Sequence, residues 1–276
     1  MDTFRKIWVN GRLFPRTKAF VSVENSAYLY GQGVFETLKA QDGKTLFIRE
    51  HFERIVRNAA LLGLQFPLSF LQMCKEIDRT LKANQASTAT IRMTLSQEGS
   101  NKAHLVILIR PYVGPGNYHK GGKLILIRSA QADPAGVANI KTTSYLTKMI
   151  ARMEIADRQA IEGIFLNADG HVTEGASSNL FVVKGGILLT PPLSEGLLPG
   201  TRRGIVLKLA RKLRIPSKEK ALSPGDLKKA DEIFVTSSLK DIFPITKFEG
   251  KKIGSQCPGP LTQRLRENYA RLLLSQ

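Results

Sequence analysis

Cysteine is nearly absent from this chain of 276 residues: Cys74 and Cys257 are the only two, far apart and in no metal-ligand spacing. That excludes a disulfide framework and fits a reducing compartment. Aromatic residues make up 7% of the chain. The longest apolar run, 104–109, is far too short to cross a bilayer. Residues 1–11 hold no apolar stretch of the kind a secretion signal needs, so a cytoplasmic protein without a signal peptide is expected. Acidic groups are the scarce charge, 23 Asp and Glu against 41 Lys and Arg, for a formal charge of +18. Such an excess either forms a nucleic-acid face or steers small anions. The basic residues are spread along the chain and are densest from 208 to 229, where no aromatic residue interleaves as a base-stacking platform requires. A small anionic substrate is therefore expected, with neither nucleic acid nor membrane as partner.

Turn chemistry and periodicity outline an α+β chain. Lys6 to Val9 and Arg12 to Phe14 flank Asn10-Gly11, a pair that supplies the two positive-φ residues of a type I′ hairpin turn. Asp42-Gly43 repeats the device between 34–40 and 45–48. Helices are expected from Glu50, with Ile55, Ala59, Leu62 and Leu64 inward, and over 68–82, with Leu71, Cys74, Ile77 and Leu81 inward. Paired strands follow at 88–95 and 104–109. Residues 111–122 are the one connector dense in Gly and Pro, which divides the chain into a small N-terminal domain (1–115), a linker (116–122) and a larger C-terminal domain (123–276). The second part reads as a strand at 123–127 and a helix from Thr147 with Met149, Ile150, Met153 and Ala156 on its apolar face. Two hairpins come next, then a helix at 201–213, a capping box at Ser223–Asp226, a strand at 233–236 and a closing helix at 261–274. Gly31-x-Gly33 is no dinucleotide fingerprint, because Glu36 stands where the third glycine belongs.

The residues with the clearest chemistry are Lys141, just ahead of the helix at 147, and Glu174, just after a short hairpin. A lysine able to form a Schiff base and a carboxylate able to hold a protonated ring nitrogen are the two groups a pyridoxal phosphate enzyme needs. Five motifs occur together and in order: Tyr30-Gly-Gln-Gly-Val-Phe-Glu-Thr-Leu38, His51-Phe-Glu-Arg54, Ile140-Lys141, Glu174-Gly-Ala-Ser-Ser-Asn-Leu-Phe181 and Leu198-Pro-Gly-Thr-Arg202. The chain thereby resembles the fold-type IV pyridoxal phosphate enzymes, or class IV aminotransferases, over nearly its whole length. That family holds branched-chain and D-amino acid aminotransferases and 4-amino-4-deoxychorismate lyase. The resemblance implies a two-domain D-amino acid aminotransferase-like fold, with a small α/β domain and a larger mixed-sheet domain, and a homodimer. Lys141 is the implied Schiff-base lysine, with Lys148 the nearby competitor, and Glu174 the implied partner of the pyridine nitrogen. Tyr145 falls near the cofactor's phenolic oxygen. Arg54 is the implied phosphate arginine. Gly200, Thr201 and Arg202 open a helix whose free N–H groups suit an anion, with Arg202 expected to act through its backbone. Ser178, Asn179 and Ser238 complete the expected cofactor contacts.

The choice of reaction turns on wall residues. Thr37 stands where branched-chain aminotransferases typically carry Gly and D-amino acid enzymes Val, whereas aminodeoxychorismate lyases often carry Thr. The stretch from Tyr145 to Leu166 is also most similar to lyase sequences. The Arg-Gly-Tyr often seen in lyases after the strand in the nineties is missing, since the chain reads Ser96-Gln-Glu-Gly-Ser-Asn-Lys102 there. Tyr30, Lys39, Arg92 and Lys102 are left as substrate candidates. The expected reaction is elimination of pyruvate to leave para-aminobenzoate for folate synthesis, with Lys141 and Thr37 catalytic. An amino-acid aminotransferase of the same fold is the alternative, and a basic nucleic-acid-binding protein a remote one. No metal is expected.

Overall fold

The computed structural model describes residues 4–99, 102–130, 132 and 135–274. Its contacts gather into two units, one of Met1–Val113 and Ile140–Tyr145, the other of Gly114–Asn139 and Leu146–Ser275. The segment that carries Lys141 thus belongs with the first unit, although it follows the expected linker.

In the first unit the described elements are β1 (Lys6–Val9), β2 (Arg12–Pro15), α1 (Ser26–Tyr30), β3 (Gly33–Gln41), β4 (Lys44–Thr45), α2 (Ile48–Leu61), α3 (Phe70–Ala83), β5 (Ala89–Glu98) and β6 (Lys102–Pro111). The strands form a six-stranded antiparallel sheet in the order β2-β1-β6-β5-β3-β4. Asn10 (φ 45°) and Gly11 (φ 91°) turn the first hairpin with the two positive angles expected of them. Side chains of a strand alternate between faces. Val34, Leu38 and Ala40 of β3 pack with Ile55 and Ala59 of α2 and Met73, Ile77 and Leu81 of α3. On α3, Leu71 was expected to face inward but is 77% exposed. The helix starts at Phe70 on a Ser69–Gln72 capping box, and its buried face runs through 73, 77, 80 and 81, opposite Leu71.

The second unit holds β7 (Gly122–Leu126), α4 (Ala135–Ala138), α5 (Leu146–Asp157), β8 (Glu162–Leu166), β9 (Val172–Gly175), β10 (Asn179–Lys184), β11 (Ile187–Thr190), α6 (Thr201–Lys212), β12 (Ser217–Glu219), α7 (Pro224–Lys228), β13 (Glu232–Ser237), β14 (Asp241–Phe248), β15 (Lys251–Lys252) and α8 (Pro260–Leu274). Among the described residues its sheet has nine strands in the order β12-β11-β10-β13-β14-β7-β8-β9, with β15 beside β14. It is mixed: β11/β12, β14/β7 and β7/β8 run parallel and the other pairs antiparallel. The α+β class with a smaller antiparallel-sheet domain and a larger mixed-sheet domain is as expected. The strands β12, β14 and β15 and the short helices α1 and α4 are additions. On α5 the expected face of Met149, Ile150, Met153 and Ala156 is not the buried one. Ala151 is the residue sealed against β8, with Ile155 packed beside it, while Met149 and Met153 are 47% and 71% exposed. Apolar residues sit on more than one side of this helix, so periodicity alone cannot choose the face that packs. Among the described residues no helix is long and apolar enough to cross a membrane.

Candidate active site

In the first unit the Lys141 segment is laced to the start of β3. The Phe35 N–H donates to the Lys141 carbonyl at 2.9 Å, the Thr143 N–H to Gly33 at 2.8 Å, and Thr143 Oγ1 to the Gly31 carbonyl at 2.6 Å. This explains Gly31-x-Gly33. Gly31 ends α1 at φ 66°, and a Cβ on Gly33 would come within 2.9 Å of both the Leu95 carbonyl and Thr143 Oγ1.

Phe35 is the organising ring, and sequence reasoning gave it no role. Lys141 Nζ lies 4.6 Å from its centroid, the Arg92 guanidinium carbon 3.7 Å, and the Tyr145 ring meets it edge-on at 5.6 Å. Burial pulls the Arg92 guanidinium below its ordinary value, and the neighbouring Arg110 adds to the pull while Tyr145 opposes it. Cross-strand register sets Thr37 opposite Arg92 and Lys39 opposite Thr90, which in turn faces Arg110. Opposed residues share a face, so Phe35, Thr37, Lys39, Arg92 and Arg110 make one polar, cationic side of the sheet. Lys39 is buried, with its Nζ 4.7 Å from the Tyr112 centroid. Tyr30 stands apart at the end of α1, 76% exposed. Lys102 is exposed at the start of β6, and residues 100 and 101 of the stretch that lacks Arg-Gly-Tyr lie outside the described residues.

Arg54 projects from α2 to the opposite face of β3, where it grips Glu36 with two bonds, Nε to Oε1 at 2.6 Å and Nη2 to Oε2 at 2.8 Å. His51 Nδ1 lies 2.7 Å from Oε2. Burial by itself would raise the Glu36 carboxyl, but Arg54 and His51 outweigh it and hold it far below the usual carboxylate range. Glu36 could have been suspected as a charge at an inward position of an apolar strand; its partners, fifteen and eighteen residues away, could not.

In the second unit Glu174 ends its hairpin mostly buried, Oε1 accepting from Lys148 Nζ at 3.0 Å and Oε2 from the Leu198 N–H at 3.0 Å. Asn179 Nδ2 donates to the Leu198 carbonyl at 2.9 Å, and a Cβ on Gly200 would overlap Asn179 Oδ1. The turn 198–200 is thereby pinned at the N-terminus of α6, whose N-cap, Gly200, provides no side-chain cap. Thr201 Oγ1 is buried and has no hydrogen-bond partner among the described residues. The Arg202 side chain is buried with its Nε 3.8 Å from Asp241 Oδ1, the carboxylate that Tyr269 also donates to. Ser178 turns to Glu162 instead: Ser177 Oγ, Ser178 Oγ and Lys240 Nζ all donate to Glu162 Oε2, at 2.8, 2.8 and 2.6 Å. Burial would raise that carboxyl, but Lys240 and the two hydroxyls hold it low. Ser238 is half-buried in the turn between β13 and β14.

The family model for amino-transferase class IV matches residues 33–248. The chain belongs to that family. It is a pyridoxal phosphate enzyme, of a family in which lyases and aminotransferases share one fold. It is 30% identical over 275 residues to a putative branched-chain-amino-acid aminotransferase of Methanocaldococcus jannaschii, covering 96% of this chain and 95% of the relative. It is 32% identical over 277 residues to the aminodeoxychorismate lyase of Bacillus subtilis, covering 95% and 93%. The solved branched-chain aminotransferase of Thermoproteus uzoniensis, with norvaline, superposes with a TM-score of 0.90 at 30% identity, covering 98% of this chain and 95% of that one. The residues of this class IV enzyme fit the cofactor piece by piece. In the second unit an uncapped helix N-terminus with a buried, unpartnered hydroxyl suits a phosphate and a mostly buried carboxylate suits a ring N–H, and in the first a buried guanidinium aligned by a carboxylate suits an anion.

Proposed function

We propose that this class IV enzyme is a 4-amino-4-deoxychorismate lyase, releasing pyruvate and para-aminobenzoate. The observation that carries this reading is the shared sheet face of Thr37, Lys39, Arg92 and Arg110 beside Phe35 and Lys141. A dicarboxylate substrate needs cations, and the elimination needs a proton donor for the leaving enol. Lys141 would hold the cofactor aldehyde, Glu174 the pyridine nitrogen, and Arg54 with Thr201 and the N–H groups of α6 the phosphate. When bound, pyridoxal phosphate supplies an aldehyde for the substrate amine and an electron-withdrawing ring. Lys141 would also take the proton from the substrate carbon bearing nitrogen. The neighbouring C–O bond breaks, and Thr37 or Lys141 protonates the leaving enol to give pyruvate. Arg92 and Lys39 bind the substrate carboxylates, and Phe35 orients Lys141. The similarity to the Bacillus subtilis lyase supports this reading. Folate synthesis in the cytoplasm would be its setting. The exposed apolar residues Phe20, Val23, Tyr28 and Tyr30 suit burial against a second copy, and light scattering is expected to return twice the mass of one chain.

A second reading, an amino-acid aminotransferase, is supported by the similarity to the Methanocaldococcus protein and to the Thermoproteus structure. The experiment is to mix cofactor-loaded protein with 4-amino-4-deoxychorismate and follow both products. Equal release of pyruvate and para-aminobenzoate is expected. No release, together with conversion of the cofactor to its pyridoxamine form by glutamate or another amino acid, would replace the lyase reading with the aminotransferase one.

A further inference from the structure

Glu174 is already partnered within its own unit. Lys148, in the first turn of α5, reaches its Oε1 at 3.0 Å, and the two side chains are only 14% and 10% exposed. The Lys148 ammonium also lies 4.4 Å from the centroid of the buried Phe165 ring on β8, so a second attraction anchors it beside the carboxylate. Each carboxylate oxygen has two acceptor positions, so Glu174 can keep Lys148 and the Leu198 N–H and still take another donor. Other charged groups on the surrounding elements are paired elsewhere or exposed. On β8 Glu162 holds Lys240, and on α5 Glu154 holds Arg158 while Arg152 and Asp157 are exposed. Glu195 faces His171, Arg203 holds Glu219, Lys184 of β10 holds Asp231, and Arg202 is turned toward Asp241. Lys148 is thus a cation in direct contact with Glu174.

We propose that Lys148 is a positioning residue that shares Glu174 with the cofactor's pyridine nitrogen and weakens the carboxylate's hold on the ring proton. Two cations on one mostly buried carboxylate divide its attraction and repel each other. The ring nitrogen of this enzyme consequently loses its proton at lower pH than it would beside an unshared glutamate, which makes the ring a weaker electron sink. This rests on the proposed role of Glu174 and goes beyond it, because it assigns a function to a lysine that acts through Glu174.

The test is a pH titration of holoenzyme carrying cofactor labelled with 15N in the ring, read by the nitrogen chemical shift. Lys148→Gln keeps a hydrogen-bond donor and removes the charge, Lys148→Met removes both, and Lys148→Arg keeps the charge. The ring nitrogen is expected to titrate about one unit higher in Lys148→Gln and Lys148→Met, a tenfold change in proton affinity. In Lys148→Arg it should stay at the wild-type position. Unchanged titration in all three variants, or a downward shift on loss of the charge, overturns the proposal and leaves Lys148 as a prop for Glu174. Borohydride trapping of the cofactor on Lys141 separates the two levels. Absence of any trapped adduct in the wild-type protein overturns the parent reading and this proposal together, whereas a trapped adduct with unshifted titration overturns this proposal alone.

Discussion

Arg54 and Glu36 form a two-bond, fully buried ion pair that joins α2 to β3, with His51 on the same carboxylate. Removing one partner leaves the other charge buried without its counter-ion, which costs about 3–5 kcal/mol. Glu36→Gln is expected to lower stability by that amount in denaturant titrations at neutral pH and, with Arg54 in its proposed phosphate role, to weaken cofactor binding at least about tenfold, because Arg54 loses its alignment. The pH dependence has a definite sign. The folded-state carboxyl lies below its ordinary value of 4.5, so its contribution is complete above that value and is lost as pH falls below it. The deficit of Glu36→Gln relative to wild type should be full at neutral pH and shrink below about 4.5. A deficit independent of pH would show that packing, not charge, holds this pair.

Thr201 separates stability from binding. Its hydroxyl is buried at the start of α6 without a hydrogen-bond partner among the described residues, and such a group costs about 1–3 kcal/mol. Thr201→Val keeps the shape and removes the hydroxyl, so the apo-protein is expected to melt at the same or a higher temperature. With Thr201 in the proposed phosphate role, cofactor affinity, measured by fluorescence quenching, should fall severalfold. Gly200→Ala serves as the steric counterpart, because its Cβ would overlap Asn179 Oδ1 and displace the 198–200 turn. It should weaken cofactor binding at least about tenfold. Undiminished affinity in both variants would remove the N-terminus of α6 from the phosphate site.

Lys240 and Glu162 make a second buried pair, closed by Ser177 and Ser178. Lys240→Met leaves Glu162 buried with hydroxyl partners only, at an expected cost of about 3–5 kcal/mol. Glu162 is held below the ordinary 4.5 in the wild-type fold, so wild type loses stability as pH drops below that value, and the variant, whose carboxyl is no longer held down, loses less. Denaturant midpoints for the two proteins should therefore converge on acidification. Parallel curves from neutral to acidic pH would mean that Lys240 contributes little to holding Glu162 charged.

Much of the fold could be read locally. Asn10-Gly11 turns the first hairpin with two positive φ angles because few residue pairs accept both. Ser223 and Asp226 cap α7 reciprocally, as their spacing requires. The inward face of α5 was not legible, because its apolar residues lie on several sides and contact with β8 chose Ala151. The strand β14 escaped notice because Pro244 lies within Asp241–Phe248, and a proline inside an apolar run argues against a strand until its neighbours are known.

At the site the division is similar. The sequence by itself determined the family, most of the elements and the motifs that single out Lys141, Glu174 and Arg54 as candidates, because motif, turn and capping chemistry act within a few residues. Tertiary structure decided what each of those residues touches. Phe35 lies beside Lys141 from more than a hundred positions away, Glu36 receives Arg54, and Lys148 settles on Glu174. Such pairings depend on strand register and on which helix face is buried, and both are set by packing between segments far apart in the chain.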